Sequence, residues 1–311
     1  MGRTRQRTAV LIAVLAGAAT RVGADEPART RDAAWAAIFA GPFRTSRLFS
    51  MPIAEVLGAY QLSLSGDGSL LQERGVLSSA GVLAVGFGDI AQLEYRHTGV
   101  IGAGRGVAPI PAIGVQLKAP LPVRRGLPAL AVALRLGVPR TEQVAGVDID
   151  EKVTDLYLVG KLELWGRLRR VALHGGLRVA SSQMTVGGMD DLPVKRTLWL
   201  PAGGWSVRVG DRTDVVGEAA LVPLFRVDQT APVPDTSRIE QGVLGRLGVR
   251  WYVQPWMTFD ASVGYQLEVA RLSGNTDTDP TGVIDWDIRL GGELFVPWGA
   301  ITCHATGLFC Q

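Results

Sequence analysis

The sequence predicts an all-β chain, a single antiparallel up-and-down transmembrane β-barrel of about twelve strands preceded by a cleaved signal peptide. Three observations predict it. The N-terminus has the make-up of an export signal, the chain from residue 54 onward alternates with a period of two, and the connections alternate between long and short. Composition fits. Of 311 residues, 47% are apolar and 20% charged, and mean hydropathy is +0.19, too apolar for disorder. No apolar run reaches the roughly 18 residues of a membrane helix.

Arg3, Arg5 and Arg7 precede a 13-residue apolar stretch, Thr8–Thr20, and Val22-Gly23-Ala24 supplies small residues at a cleavage spacing. Residues 1–24 are therefore read as the signal peptide. The formal charge of +3 depends on it: without its four arginines, 28 basic residues stand against 29 acidic ones, a balance of −1. Nucleic-acid binding loses its support with that basic excess.

Residues 25–53 form an N-terminal periplasmic leader. Trp35, Ile38 and Phe39 in Arg31–Gly41 suggest a short amphipathic helix that lies on a membrane surface, plugs a cavity or docks on the protein.

Residues 54–298 carry the strand pattern. In Phe259–Val269, Phe259, Ala261, Val263, Tyr265 and Leu267 share one face while Asp260, Ser262, Gly264, Gln266 and Glu268 share the other. Similar segments are 54–64, 78–86, 89–98, 107–118, 128–138, 151–164, 168–180, 196–209, 213–226, 239–253, 256–269 and 284–297. Most exceed the usual soluble-strand length of about 5–6 residues and match the roughly 9–11 that cross a bilayer. Long polar loops (Ser65–Leu77, Pro139–Asp150, Ser181–Lys195, Val227–Arg238, Ala270–Val283) alternate with tight turns such as Gly210-Asp211-Arg212 and Gln254-Pro255. Ala119–Leu127 is the exception. Pro109, Pro111, Pro201 and Pro223 fall inside these spans and remove ladder hydrogen bonds, so bulges or shifted ends are expected there. Trp199, Trp205, Trp251, Trp256, Trp286 and Trp298 cluster near strand ends. Residues 299–311 form a tail in which Cys303 and Cys310 are expected to close a local disulfide, since an exported chain meets an oxidising compartment.

On these segments and this loop alternation, the chain resembles the broad class of Gram-negative outer-membrane β-barrel proteins. The likeness covers 54–298. Arg289-x-Gly291-x-x-Leu294-x-Val296 resembles the assembly signal of their last strand, although a tail to Gln311 replaces the terminal aromatic. The resemblance implies an outer-membrane location, short turns on the periplasmic side, and outer-membrane lipid, lipopolysaccharide and the barrel-assembly machinery as partners.

By parity the inner face receives Arg96, Lys118, Arg135, Arg178, Arg208, Arg246, Arg250 and Arg289 against Glu55, Glu94, Glu218, Asp260, Glu268, Asp287 and Glu293, with His174 neutral. The candidate lumen-lining residues are Arg135, His174, Arg178, Arg246, Arg250, Asp260, Glu268, Asp287, Arg289 and Glu293. Such charges form either an ion-pair lattice filling the lumen or a narrow polar channel. Small inward residues (Ala129, Ala131, Ala133, Gly176, Gly248, Gly264) favour residual space.

Catalytic motifs are missing: HExxH, GxSxG and the P-loop do not occur. Gly86-x-Gly88-x-x-Ala91 opens onto a strand-like run, and Asn275–Asp279 lacks the glycine and glutamate of a calcium loop. His97 falls outward near a rim with no serine or carboxylate assignable by spacing. The reading is thus a narrow porin-like channel for small polar solutes or ions, with no cofactor and no metal. The alternatives are a structural or adhesive barrel, a lipid-active membrane enzyme, or a soluble secreted β-protein. Acidic loop residues such as Asp148, Asp150, Glu151, Asp190 and Asp191 sit on the outer rim. An oligomeric state is not legible.

Overall fold

Strands that alternate apolar and polar side chains can pair edge to edge until no edge is left, turning one face inward and the other outward. That is how this chain folds. A computed structural model describes residues 28–71, 77–102, 105–120, 128–144, 147–164, 171–186, 194–227, 237–267 and 286–308. The signal peptide, Glu268, the Asn275–Asp279 run and Cys310 lie outside them.

The strands are β1 (Leu62–Leu71), β2 (Leu77–Phe87), β3 (Ala91–Gly102), β4 (Arg105–Lys118), β5 (Ala129–Gly137), β6 (Arg140–Val144) and β7 (Val147–Glu163). They continue with β8 (Val171–Val186), β9 (Val194–Arg208), β10 (Thr213–Val227), β11 (Ser237–Gln254), β12 (Met257–Leu267) and β13 (Trp286–Val296). All neighbours are antiparallel. β1 closes on β13 through nine residue pairs from Leu62↔Val296 to Leu71↔Ile288, and β5 and β6 both pair with β7. Pro139, which has no N–H, falls in the break between β5 and β6. Those two pieces therefore make one interrupted stave, and the sheet is a closed barrel of twelve.

The first stave is a correction. The segment expected at 54–64 begins pairing only at Leu62; residues 43–58 instead run inside the barrel. Several loops expected to be long are shorter, because the strands continue into them: β7 starts at Val147 and β8 ends at Val186. Among the prolines, the β3–β4 register shifts between Thr98 and Val100, near Pro109 and Pro111.

Pro201 and Pro223 mark a seam. The β9–β10 ladder runs from Asp214↔Arg208 to Ala220↔Ala202 and stops there. Above it β10 stays paired with β11 as far as Val227↔Ser237, while β9 stays paired with β8 as far as Val194↔Met184. Ile239 of β11 packs with Ala180, Met184, Leu198 and Leu200 of β8 and β9, and its carbonyl accepts a hydrogen bond from Arg196 of β9.

The faces divide as alternation demands. Leu93 and Tyr95 are exposed between buried Gln92 and Glu94, and Leu130, Val132, Leu134 and Leu136 are exposed while Ala131, Ala133 and Arg135 are buried. Exposed Leu64, Leu83, Ile113, Leu158, Leu247 and Val263 continue a band that water would not tolerate and lipid does. Trp199, Trp251 and Trp286 are also exposed. The molecule is an outer-membrane-type β-barrel.

Helix α1 (Ala28–Ile38) carries Trp35 and Ile38, with Phe39 just past its end; its residues up to Ala37 belong to a unit distinct from residues 38–311. Helix α2 (Trp298–Thr306) forms where a tail was expected and ends at Gly307, whose φ of 74° suits glycine and whose N–H bonds the Cys303 carbonyl. Gly299 lies so close to Tyr60 that a Cβ would come within 2.5 Å of the Tyr60 Cβ, and the Tyr60 and Trp298 rings meet edge to face.

Val263, 52% exposed and paired with Leu247 and Ile288 mid-strand, tests the outward face. Val263→Arg is expected to cost about 2–4 kcal/mol of unfolding free energy in lipid vesicles. Urea titration would check this, and an unchanged midpoint would deny lipid contact there.

Candidate functional site in the barrel lumen

Residues 43–58 fill the lumen at one level, and the wall is cut to receive them. The Ile53 N–H bonds the Ser46 carbonyl and the Leu48 N–H bonds the Met51 carbonyl, closing a tight internal loop. Leu48 and Ile53 pack on Val216, Met51 and Ala54 pack on Ala131, Ala133, Tyr157 and Val159, and Leu57 packs on Ala84 and Phe295. Of the small inward residues that promised open space, Ala129, Ala131, Ala133 and Gly176 lie against the segment, whereas Gly248 faces Ser262 and Gly264 faces Asp287 and Arg246. A Cβ on Gly204 would stand 2.4 Å from Leu48 Cδ1, and one on Gly86 would stand 2.2 Å from the Gly58 carbonyl oxygen.

Inside a barrel this segment has no strand partner, so wall side chains must satisfy its backbone. Glu218 accepts from the N–H groups of Phe49 and Ser50 at 3.1 Å and from Ser50 Oγ at 2.6 Å. Gln92 accepts from the Leu57 N–H at 3.1 Å and donates to Ser46 Oγ at 3.0 Å. Gln116 Nε2 donates to the carbonyls of Ile53 and Glu55, both at 2.7 Å. Arg250, held by Asp260 at 2.8 and 2.9 Å, donates to the Leu48 carbonyl at 2.7 Å.

Glu55 is the segment's own anchor. Lys118 reaches it at 2.6 Å and Lys161 at 3.1 Å. Burial pushes its carboxyl up, but the hydrogen bonds and charges of Lys118 and Lys161 outweigh burial and hold it below the ordinary value.

The described candidate lumen residues form three ion-pair groups, with Glu293 and His174 apart from them. Arg246 bonds Asp287 at 3.1 Å and Ser262 at 3.2 Å, and Arg289 bridges Asp287 and Asp67, tying β11, β12, β13 and β1 together. Glu293, buried, accepts from Ser63 across the closing β1–β13 pair. Arg250 and Asp260 hold the inner segment. Arg135 pairs with Glu94, and Arg178 with Asp155 at 2.7 and 2.9 Å, the two guanidiniums lying 4.9 and 5.5 Å from the Tyr157 ring centroid. His174 is buried near Ser206, 3.3 Å away. Among other charges assigned inward, Arg208 is exposed and bonds Asp214. His97 is exposed on the outer face.

A cavity of about 330 Å³ adjoins the inner segment. Ser50 and Met51 line it, together with Arg96, Arg135, Lys152, Asp155, Tyr157 and Arg178 on the polar side and Ala202, Ala220, Leu221, Val222 and Leu244 on the apolar side. Arg96 Nε and Nη2 are buried with no hydrogen-bond partner among the described residues.

Counting charged residues alone overlooked Gln92 and Gln116, which share the parity of Glu94 and Lys118 and were legible on that ground. It also overlooked the inner segment, because the apolar pattern Ala54, Val56, Tyr60, Leu62, Leu64 continues straight into β1.

No protein-family model and no curated protein matches the sequence. Among solved structures the chain is similar to KdgM porin (TM-score 0.45, 8% identity, 75% of this chain and 98% of that one). It is also similar to NanC porin (TM-score 0.45, 7% identity, 75% and 98%). A further likeness is to OmpT, an outer membrane protein of Vibrio cholerae (TM-score 0.39, 10% identity, 80% and 99%).

Glu218→Ala would strand the amide donors of Phe49 and Ser50, at a cost of about 1–3 kcal/mol for each donor that stays dry. Denaturant unfolding should show the loss, and proteolysis within 43–58 should quicken. Because the Glu55 value is lower in the fold, its contribution is complete above about 4.5 and disappears as pH falls through the folded value. Stability should therefore hold from neutral pH to about 4.5 and then fall, less steeply in Glu55→Gln.

Proposed function

We propose that this chain is an outer-membrane barrel that passes small polar solutes or ions through a lumen narrowed by residues 43–58. One observation carries the reading. The segment is held by polar side chains reaching from the wall, with Glu218, Gln92, Gln116 and Arg250 each bonding its backbone or side chains. A lumen whose filling is hydrogen-bonded can exchange those bonds for water, whereas an apolar core cannot. The charged cavity beside it supplies a wettable path on that side. The export signal at 1–24 and assembly through the barrel-assembly machinery belong to the same reading, with the short connections such as Gly88–Ile90 and Val209–Arg212 facing the periplasm.

The anchorage also favours a second reading, a closed barrel whose role lies in its outer loops. Conductance separates the two. In planar bilayers the full chain should show small, discrete openings, and a chain lacking residues 25–58 should show severalfold larger ones. A silent full chain beside a conducting truncation would make 43–58 a permanent plug and favour the closed barrel. Silence from both, with the compact form still visible on unheated gels, would sink the channel.

A further inference from the structure

Among the described side chains around the cavity, cations outnumber carboxylates. Arg135 has Glu94 and Arg178 has Asp155 in bonded pairs, which uses both carboxylates described there. Arg96, two residues along β3 from Glu94 and so on the same face, keeps Nε and Nη2 buried without a hydrogen-bond partner among the described residues, and Lys152 adds a further cation. Buried guanidinium donors left unused are costly unless an acceptor comes to them, and a fork of N–H groups suits a carboxylate. The opposite wall is apolar. Ala202, Ala220, Leu221 and Val222 flank the point where the β9–β10 ladder stops, so the apolar side of the cavity adjoins the seam at which the two strands part.

We propose that this cavity binds a small amphiphilic organic anion, its carboxylate on Arg96 and its apolar body along Ala202, Ala220 and Val222 toward the β9–β10 seam. The site rests on the channel reading only for any part in passage; binding itself needs no conduction.

The test is equilibrium binding to the full chain in zwitterionic nanodiscs, with empty nanodiscs subtracted. Three probes are used: octanoate, its neutral amide octanamide, and inorganic phosphate. Octanoate should bind saturably, and the amide and phosphate should each bind about tenfold more weakly or worse. The amide lacks the charge and phosphate lacks the apolar body. Arg96→Gln should weaken octanoate by about tenfold or more, and Arg96→Lys should recover part of it. Absence of saturable octanoate binding overturns the site in the unmodified chain, whatever the variants do. Octanamide binding as well as octanoate overturns the role of Arg96, and phosphate binding as well overturns that of the apolar wall. A chain that conducts without binding octanoate loses this site alone. One that binds without conducting keeps the site and loses the channel.

Discussion

Every peptide group at lipid depth must find a partner within the protein, because hydrocarbon offers none. The architecture follows from that constraint. Twelve staves close through the Leu62↔Val296 to Leu71↔Ile288 ladder and leave no free edge, and once closed, each strand has one face for lipid and one for the interior. Among the described strands the constraint relaxes at two places, beyond Ala112↔Gly137, where β4 and β6 are not paired, and above Ala202↔Ala220. At the second, the parted lengths carry Pro201 and Pro223, residues without an N–H, so the two edges hold fewer donors to satisfy.

The interior faces the opposite problem. A ring of twelve strands lies between the roughly eight that side chains fill and the roughly 16–18 that leave a broad aqueous channel. This chain fills it with its own N-terminal segment. Small residues (Ala131, Ala133, Gly204, Gly86) make the room, and long polar ones (Glu218, Gln92, Gln116, Arg250) supply the bonds that a strand partner would otherwise give. The remaining charges pair across strands, Arg246 with Asp287 and Arg178 with Asp155, so most of the lattice is neutral. Among the described residues Arg96 departs from that balance, and it lines the cavity together with the apolar residues Ala202, Ala220 and Val222.

Most of the barrel was legible because alternation is a local signal. Whether Leu134 faces lipid and Arg135 the lumen can be read from two adjacent residues. Loop lengths were less legible, since strands such as β7 and β8 extend into polar stretches whose composition resembles loop. The inner segment was illegible for a different reason. Its apolar spacing imitates a strand, and what distinguishes it is the set of partners on β3, β4, β10 and β11, which no local pattern records. The apolar patch of Met184, Leu198 and Leu200 is likewise a fact of neighbours. The neutral amides were visible but discounted, because only charge was counted.

The inner segment also ties distant parts of the chain together. It precedes β1, yet its bonds go to β3, β4, β7, β10 and β11, with Ser50 and Glu218 separated by 168 positions and Leu48 and Arg250 by 202. The bonds to Leu48 and Phe49 therefore require β10 and β11 to be in place, whereas those to Leu57 and Glu55 draw on strands much nearer in sequence. In the folded barrel the segment lies across the concave side of the sheet like a crossbar, and any wider passage at that level requires the crossbar to shift.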